Sequence, residues 1–286
     1  MSKILDGKKL RDQLVPQLIK KIRETAYKPK LVIIQIGNLK ESNSYIKKKK
    51  AFGQKLGALV VHKQYPENIS EKEVISDISK YNSDSSVHGI MIQLPIPKNL
   101  NGTTIIEAID PEKDVDGLTA KNTKLLFDNT EAFVPATTQG IITLLQHNKI
   151  DLVGKKVVIV GESTLVGRPT ILALLNRKAT VTVCHIHTKN LEKETKQADI
   201  LIVAVGQPHL ITPNHVSKNQ IVIDVGITVT EKKKVVGDVD YKKVKNIVGA
   251  ITPVPGGVGP MTVFSLFENL IKSYLYFTKY DADQHQ

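Results

Sequence analysis

The sequence predicts an α/β protein of two domains, each built from parallel strands covered by helices. Three observations carry that. The first 120 residues alternate short β-branched runs with helical patterns, the signature of a parallel sheet with helices packed on it. A second block, from about residue 145 to 255, repeats the whole alternation. At its head stands KKVVIVGESTLVGRP, residues 155–169, where Val157, Val158, Ile159 and Val160 run straight into Gly161. An apolar run without helical period, ended by glycine, reads as a buried strand entering a tight turn. Leu165, Ile171, Leu172 and Leu175 then have the spacing of a helix's buried stripe. Strand, glycine turn and helix open a dinucleotide-binding βαβ unit, whose helix N-terminus receives a pyrophosphate. A regular G-x-G-x-x-G needs glycines at 161, 163 and 166; here Ser163 and Val166 stand there and the next glycine is Gly167. Taken alone, the stretch fits nucleotide binding and a plain α/β turn about equally.

The elements follow in order. Over residues 6–28, Leu10, Leu14, Val15, Leu18, Ile19 and Ile22 share one face, giving an amphipathic helix with an irregularity expected at Pro16. Strands are predicted at 31–36, 58–62 and 89–94, with helices at 42–56 and around Ile75 and Ile78. Residues 111–118, PEKDVDGL, read as a loop; helical patterns at 121–126 and 138–146 lead into the central unit. Further strands are expected at 181–184, 200–205 and 221–225, and one more at 247–251. Residues 251–262, ITPVPGGVGPMT, read as a rigid glycine- and proline-rich loop. Beyond it Val263, Leu266, Phe267, Leu270, Ile271 and Tyr274 form a helical stripe, and the tail after Tyr280 is expected to fray. The domains are drawn at 1–120, with the C-terminal helix 262–280 packing back on it, and at 140–255.

Composition narrows the function. No run approaches the roughly 20 apolar residues of a membrane span, and MSKILDG lacks an apolar signal core, so a cytoplasmic protein is expected. Cys184 is the only cysteine and the eight histidines show no H-E-x-x-H spacing, so neither an intrachain disulfide nor a metal site is expected. A net charge of +12 fits a solvated basic surface or an anionic partner such as a phosphate-bearing cofactor. Nucleic acid is disfavoured by the absence of zinc-finger, RNP or basic-zipper patterns and by an aromatic content of only 5% for base stacking.

Chemistry is suggested at four positions. Tyr45 and Lys49 lie one turn apart in SNSYIKKKKAFGQKLG, and the same spacing continues to Phe52 and Leu56. Of four successive lysines, Lys49 therefore shares the apolar stripe. Desolvation disfavours its ammonium form and suits it to act as a neutral base; a basic helix face with extended lysines is the other reading. Gln93 ends the strand GIMIQLP, where it could hold Lys49 by a hydrogen bond, and Asp116 in KDVDG could accept from the N–H groups of a heterocycle. A capped strand end and an Asx-type loop account for the same two residues without any chemistry.

Taken together, GNLKESNSYIKKKKAFGQKLG, GIMIQLPIP, PEKDVDGL, VVIVGESTLVGRP, ADILIVAVGQP, VIDVGI and PVPGGVGPMT resemble the bifunctional methylenetetrahydrofolate dehydrogenase/methenyltetrahydrofolate cyclohydrolase family over nearly the whole chain. The resemblance implies an N-terminal α/β catalytic domain, a Rossmann-type domain, a cleft between them, and commonly a homodimer. It implies that Tyr45 stacks on the folate, Lys49 is catalytic, Gln93 supports it and Asp116 anchors the pterin. It further implies that Gly256 and Gly257 line the folate site, and that Gly161, Glu162, Ser163, Arg168, Ile186 and Ile227 border a dinucleotide. The implied reactions are oxidation of 5,10-methylenetetrahydrofolate and hydrolysis of the methenyl product to 10-formyltetrahydrofolate, supplying one-carbon units for purine biosynthesis. Two departures stand out. PATTQG at 135–140 replaces a frequent PCTP, and Glu162 occupies a position that is often arginine. An acid there opposes a 2′-phosphate, whereas His185, His187 and Lys189 stand where an NAD-selecting acid is usual; NADP is the expected cofactor, with NAD the alternative. A dehydrogenase lacking the hydrolase step and a basic nucleic-acid-binding module remain the rival readings.

Overall fold

The computed structural model describes residues 2–131, 133–231 and 233–284, with side chains described up to residue 277. It divides into two compact units, one of residues 14–136 and 265–286, the other of residues 1–13 and 137–264.

In chain order the elements are β1 (Lys3–Ile4), α1 (Gly7–Arg23), β2 (Lys30–Ile36), α2 (Lys40–Leu56), β3 (Leu59–Tyr65), α3 (Glu71–Ser83), β4 (Gly89–Gln93), α4 (Gly102–Glu107), α5 (Ala120–Phe127) and α6 (Ala136–His147). They continue with β5 (Lys156–Val160), α7 (Gly167–Leu175), β6 (Thr180–Cys184), α8 (Leu191–Lys196), β7 (Ile200–Val203), β8 (Ile221–Asp224), β9 (Thr228–Val229), β10 (Val235–Val236), α9 (Tyr241–Val244), β11 (Ala250–Ile251) and α10 (Val258–Gln284).

The unit of residues 14–136 and 265–286 holds a parallel sheet in the order β3-β2-β4. Central strand β2 is buried from Leu31 to Ile36. That is the continuous apolar pattern of a strand covered on both faces. α10 packs on this unit. A Cβ on Gly53 would stand 2.9 Å from the Phe267 ring, and one on Gly89 2.8 Å from Leu270. The Phe52 and Phe267 rings meet edge to face at 5.5 Å. Asn269 Nδ2 donates to Val115 O (2.9 Å) and Val134 O (3.1 Å).

The other unit holds a six-stranded parallel sheet in the order β1-β11-β8-β7-β5-β6. The order reverses at β5, with β6 on one side and β7 on the other, which is the switch point of a Rossmann-type sheet. The β1 pairing, Lys3↔Ala250 and Ile4↔Ile251, takes the first residues into this sheet, although sequence reading places them with the N-terminal block.

Four expectations need correcting. α1 runs through Pro16 without interruption and stops at Arg23, five residues short of 28. The loop expected over 251–262 ends at Gly257. Gly259 and Pro260 already lie in the first turn of α10, where a missing N–H costs nothing. The tail after Tyr280 continues as helix through Gln284, and residues 285–286 lie outside the described residues. Finally, α7 buries Thr170, Ala173 and Leu174, while Leu165 and Leu175 are exposed and Ile171 and Leu172 intermediate. A Cβ on Gly167 would stand 2.3 Å from Gly161 O; that close approach fixes the rotation of the helix, and it turns the leucine stripe aside.

Candidate active site

α2 presents its chemistry by helical spacing. Tyr45 and Lys49 are half-buried above Phe52 and Leu56, which are buried, whereas Lys47, Lys48 and Lys50 are exposed. Gly57, with φ of 90°, ends the helix in the left-handed conformation that glycine adopts readily. Lys49 Nζ donates to Gln93 Oε1 at 2.9 Å. Gln93, at the carboxyl end of β4, is itself oriented, because its Nε2 donates to Leu94 O at 2.9 Å. That second bond assigns the amide so that its oxygen faces the lysine. Ser42 Oγ donates to the same carbonyl at 3.3 Å, and the Leu94–Pro95 bond is cis.

Asp116 is presented by a loop that its neighbour Asp114 fastens. Asp114 is buried and accepts from Gly117 N (3.0 Å), Thr119 N (2.8 Å) and Asn122 Nδ2 (3.0 Å). Gly117, at φ of 71°, has no room for a Cβ, which would meet Phe133 O at 2.3 Å. Asp116 is thereby left free for another role, its carboxyl pushed up to about 6 by burial, opposed by Lys49 and reinforced by Asp114. Burial lowers Lys49 below the ordinary lysine value, against the field of Asp116. A lysine and an aspartate have been moved toward each other across neutrality, the arrangement that lets either group exchange a proton. Burial also raises the Tyr45 phenol, and Lys48 Nζ lies 5.4 Å over its ring.

In the other unit the dinucleotide turn follows β5. Gly161, at φ of 115°, donates its N–H to Cys184 O (2.8 Å), and a Cβ on it would meet Ala204 O at 2.3 Å. Ser163 Oγ accepts from Val166 N and Gly167 N, both at 3.3 Å, and so caps the start of α7. Exposed Arg168 is steadied by Nε donating to Glu162 O at 3.2 Å; the Glu162 side chain is exposed. Ile186 is exposed, and His185 and His187 stand beside it with their rings 6.0 Å apart. Ile227 is partly exposed, at 42%. Gly256, at φ of 115°, accepts Lys8 N at 2.9 Å, and Gly257 packs on α1, where a Cβ on Gly7 would meet Gly257 O at 1.9 Å. A positive-φ glycine, a close-packed helix start and the strand reversal at β5 together fit a dinucleotide.

The structure thus joins Lys49 and Gln93 directly and sets Asp116 within their electrostatic reach. Gly256 and Gly257 belong to the unit that carries Gly161. Sequence reading missed Ser42 and Asp114. Asp114 is the first acid of the DVDG motif, and only its burial and its several N–H donors mark it as the loop fastener.

Two α/β units, one with a half-buried lysine beside an amide and an acid, the other with a dinucleotide turn, define an NAD(P)-binding enzyme class. Residues 5–116 match the catalytic domain of tetrahydrofolate dehydrogenase/cyclohydrolase, and residues 135–277 match the NAD(P)-binding domain of the same enzymes. The chain belongs to the tetrahydrofolate dehydrogenase/cyclohydrolase family. It is 44% identical over 279 residues to the bifunctional protein FolD of Nautilia profundicola, covering 96% of this chain and 98% of that one. The solved FolD methylenetetrahydrofolate dehydrogenase/cyclohydrolase of Campylobacter jejuni superposes with a TM-score of 0.93 at 42% identity, over 96% and 98% of the two chains. The Trypanosoma brucei enzyme, solved with NADP and an inhibitor, gives a TM-score of 0.92 at 29% identity, over 96% and 98%.

Proposed function

We propose that the chain oxidises 5,10-methylenetetrahydrofolate with NADP and hydrolyses the methenyl product to 10-formyltetrahydrofolate. The observation that carries it is the Lys49 Nζ to Gln93 Oε1 bond of 2.9 Å in a desolvated setting. A neutral amine that donates one hydrogen to Gln93 has its lone pair directed elsewhere, available to take a proton from water attacking the methenyl carbon. A cationic methenyl substrate beside Lys49 disfavours the ammonium further, so substrate binding itself helps to generate the base. Asp116 is assigned to the N–H groups of the pterin, and Tyr45 to stacking on the folate. NADP when bound supplies a hydride acceptor, a step that needs alignment more than acid or base. Gly161, Ser163, Arg168, Glu162, Ile186 and Ile227 are assigned to its binding, and Gly256 and Gly257 to close approach of the folate.

A homodimer, a cytoplasmic location and a supply of formyl groups to purine biosynthesis complete the reading, supported by the family resemblance. Among the described residues no helix is long and apolar enough to cross a membrane. The test is an assay of the purified protein with methylenetetrahydrofolate and either NADP or NAD, following nicotinamide reduction and methenyl disappearance. Both signals, with NADP preferred, are expected. Reduction without methenyl hydrolysis would leave a dehydrogenase alone, and neither signal would sink the proposal.

A further inference from the structure

Hydropathy gives α10 its buried face through Phe267, Leu270 and Tyr274, yet Ser265, Asn269 and Ser273 run beside that stripe at intervals of one turn and are buried too. A polar group enters a core at a cost unless a partner meets it. Two of these three meet the segment that carries Asp116. Ser273 Oγ donates to His88 O and to Glu112 O, the latter at 2.8 Å. One turn earlier, Asn269 Nδ2 donates to Val115 O at 2.9 Å and to Val134 O at 3.1 Å. An amide nitrogen has two hydrogens, and both are used; the pair of carbonyls assigns which way the amide faces.

Val115 O and Asp116 N belong to one planar peptide unit, so the Asn269 bond fixes the plane from which Asp116 starts. The plane that follows Asp116 is held as well. Gly117 N, its far end, donates to Asp114 O (3.1 Å) and to Asp114 Oδ1 (3.0 Å). The Val115 side chain is buried against β4, where a Cβ on Gly89 would stand 2.7 Å from it. Behind the turn runs the segment 133–135: a Cβ on Gly117 would meet Phe133 O at 2.3 Å and Pro135 N at 2.8 Å. The second hydrogen of Asn269 ties that backing segment to the turn. With both planes held, the Cα–Cβ direction of Asp116 is set and only its side-chain torsions remain. Asp114 holds one plane from inside the turn; Asn269, 154 positions beyond Val115, holds the other.

We infer that Asn269 is a positioning residue of the folate site, aiming the Asp116 carboxylate through the Val115 carbonyl. The inference rests on the assignment of Asp116 to the N–H groups of the pterin. A carboxylate that accepts from a planar heterocycle tolerates little rotation, because hydrogen bonds weaken steeply away from linearity. Without Asn269 the plane before Asp116 is free to tilt, and Val115 O and Val134 O lose their donor. The loss falls on the folate, since Asn269 holds nothing that belongs to the dinucleotide turn. Ser273 supplies the comparison. It makes the same kind of bond from the next turn of the helix, but its carbonyls, those of His88 and Glu112, stop short of the peptide that enters Asp116.

Asn269→Leu keeps the volume and removes both donors. Its KM for methylenetetrahydrofolate should rise by about tenfold, while the NADPH dissociation constant read by fluorescence stays parental. A fold that is merely weakened lowers the active fraction, and with it the apparent kcat, but leaves KM alone. Ser273→Ala should lower the melting temperature and leave the folate KM unchanged. Asn269→Ser, with one donor hydrogen in place of two, should fall between parent and Asn269→Leu, and carries the same comparison if the leucine variant does not fold. A double-mutant cycle shows the route: in an Asp116→Asn background, where the carboxylate is already gone, Asn269→Leu or Asn269→Ser should raise the folate KM little further. A full additional rise there, or a Ser273→Ala that raises the folate KM as much as the Asn269 variants do, overturns the positioning role. So does a parental folate KM in both Asn269 variants while Asp116→Asn weakens folate. An Asp116→Asn that binds folate like the parent overturns it together with the assignment of Asp116.

Discussion

Replacing Gln93 by leucine separates what the amide does to the Lys49 proton from what it does to the Lys49 position. The side chain keeps its size and loses the oxygen that accepts from Nζ at 2.9 Å. A hydrogen bond to a buried ammonium contributes about 1.5–3 kcal/mol and one to a neutral amine about 0.5–1.5 kcal/mol. The difference, on the order of 1 kcal/mol, favours the charged form, and its loss lowers the Lys49 value further. The direction adds to the lowering that burial already imposes. The acid limb of the cyclohydrolase pH–rate profile should therefore move toward lower pH. Its plateau should fall by about ten- to a hundredfold, because the lone pair is no longer aimed. The dehydrogenase step, which needs no base, should fall by much less. Steady-state kcat for methenyl hydrolysis measured across pH decides the matter. An unmoved acid limb with an unchanged plateau would refute the idea that Gln93 acts through Lys49.

Lys49→Met should abolish methenyl hydrolysis while leaving measurable nicotinamide reduction; hydrolysis at the parent rate would remove Lys49 from the base role. Gly161→Ala forces a Cβ to 2.3 Å from Ala204 O at a φ of 115°. It should lower stability by about 1–3 kcal/mol and weaken NADPH binding, read by thermal melting and fluorescence titration; parental values in both would mean the turn has room to spare. Glu162→Arg should raise the preference for NADP over NAD, chiefly through the Michaelis constant, because a 2′-phosphate remote from the hydride binds alike in ground and transition states. An unchanged ratio would mean that exposed Glu162 faces away from the ribose, leaving the segment of His185, His187 and Lys189 to set the preference.

The strands were legible because β-branched runs bounded by turn residues have few other outcomes, and the interiors of β2, β4, β5, β7 and β8 lie within the predicted runs. Lys49 was legible from its phase with Tyr45, Phe52 and Leu56, and Gln93 from its place at a strand end. What escaped was set by contacts distant in sequence. The rotation of α7 depends on Gly167 pressing against Gly161, and its buried Thr170 hydroxyl finds Thr138 3.0 Å away; hydropathy alone selects the leucines instead. Two-residue β1 has no periodicity to read, and its partner lies almost 250 positions away. In KDVDG nothing local says that Asp114 is the fastener and Asp116 the free acid.

Because Lys3 and Ile4 complete a sheet whose neighbouring strand is Ala250–Ile251, the beginning of the chain is held in waiting during synthesis until nearly all of it has been made. Until then β1 has no partner, and β8 presents a row of unpaired N–H and C=O groups, a template for pairing with another chain. A fragment cut between residues 120 and 140 to isolate the nucleotide-binding half would keep β11 over β8 but lose β1, leaving the edge of β11 open permanently. Joining residues 1–13 to 137–264 through a linker would close it, so the half-protein that keeps its whole sheet is an internally deleted chain rather than a truncated one.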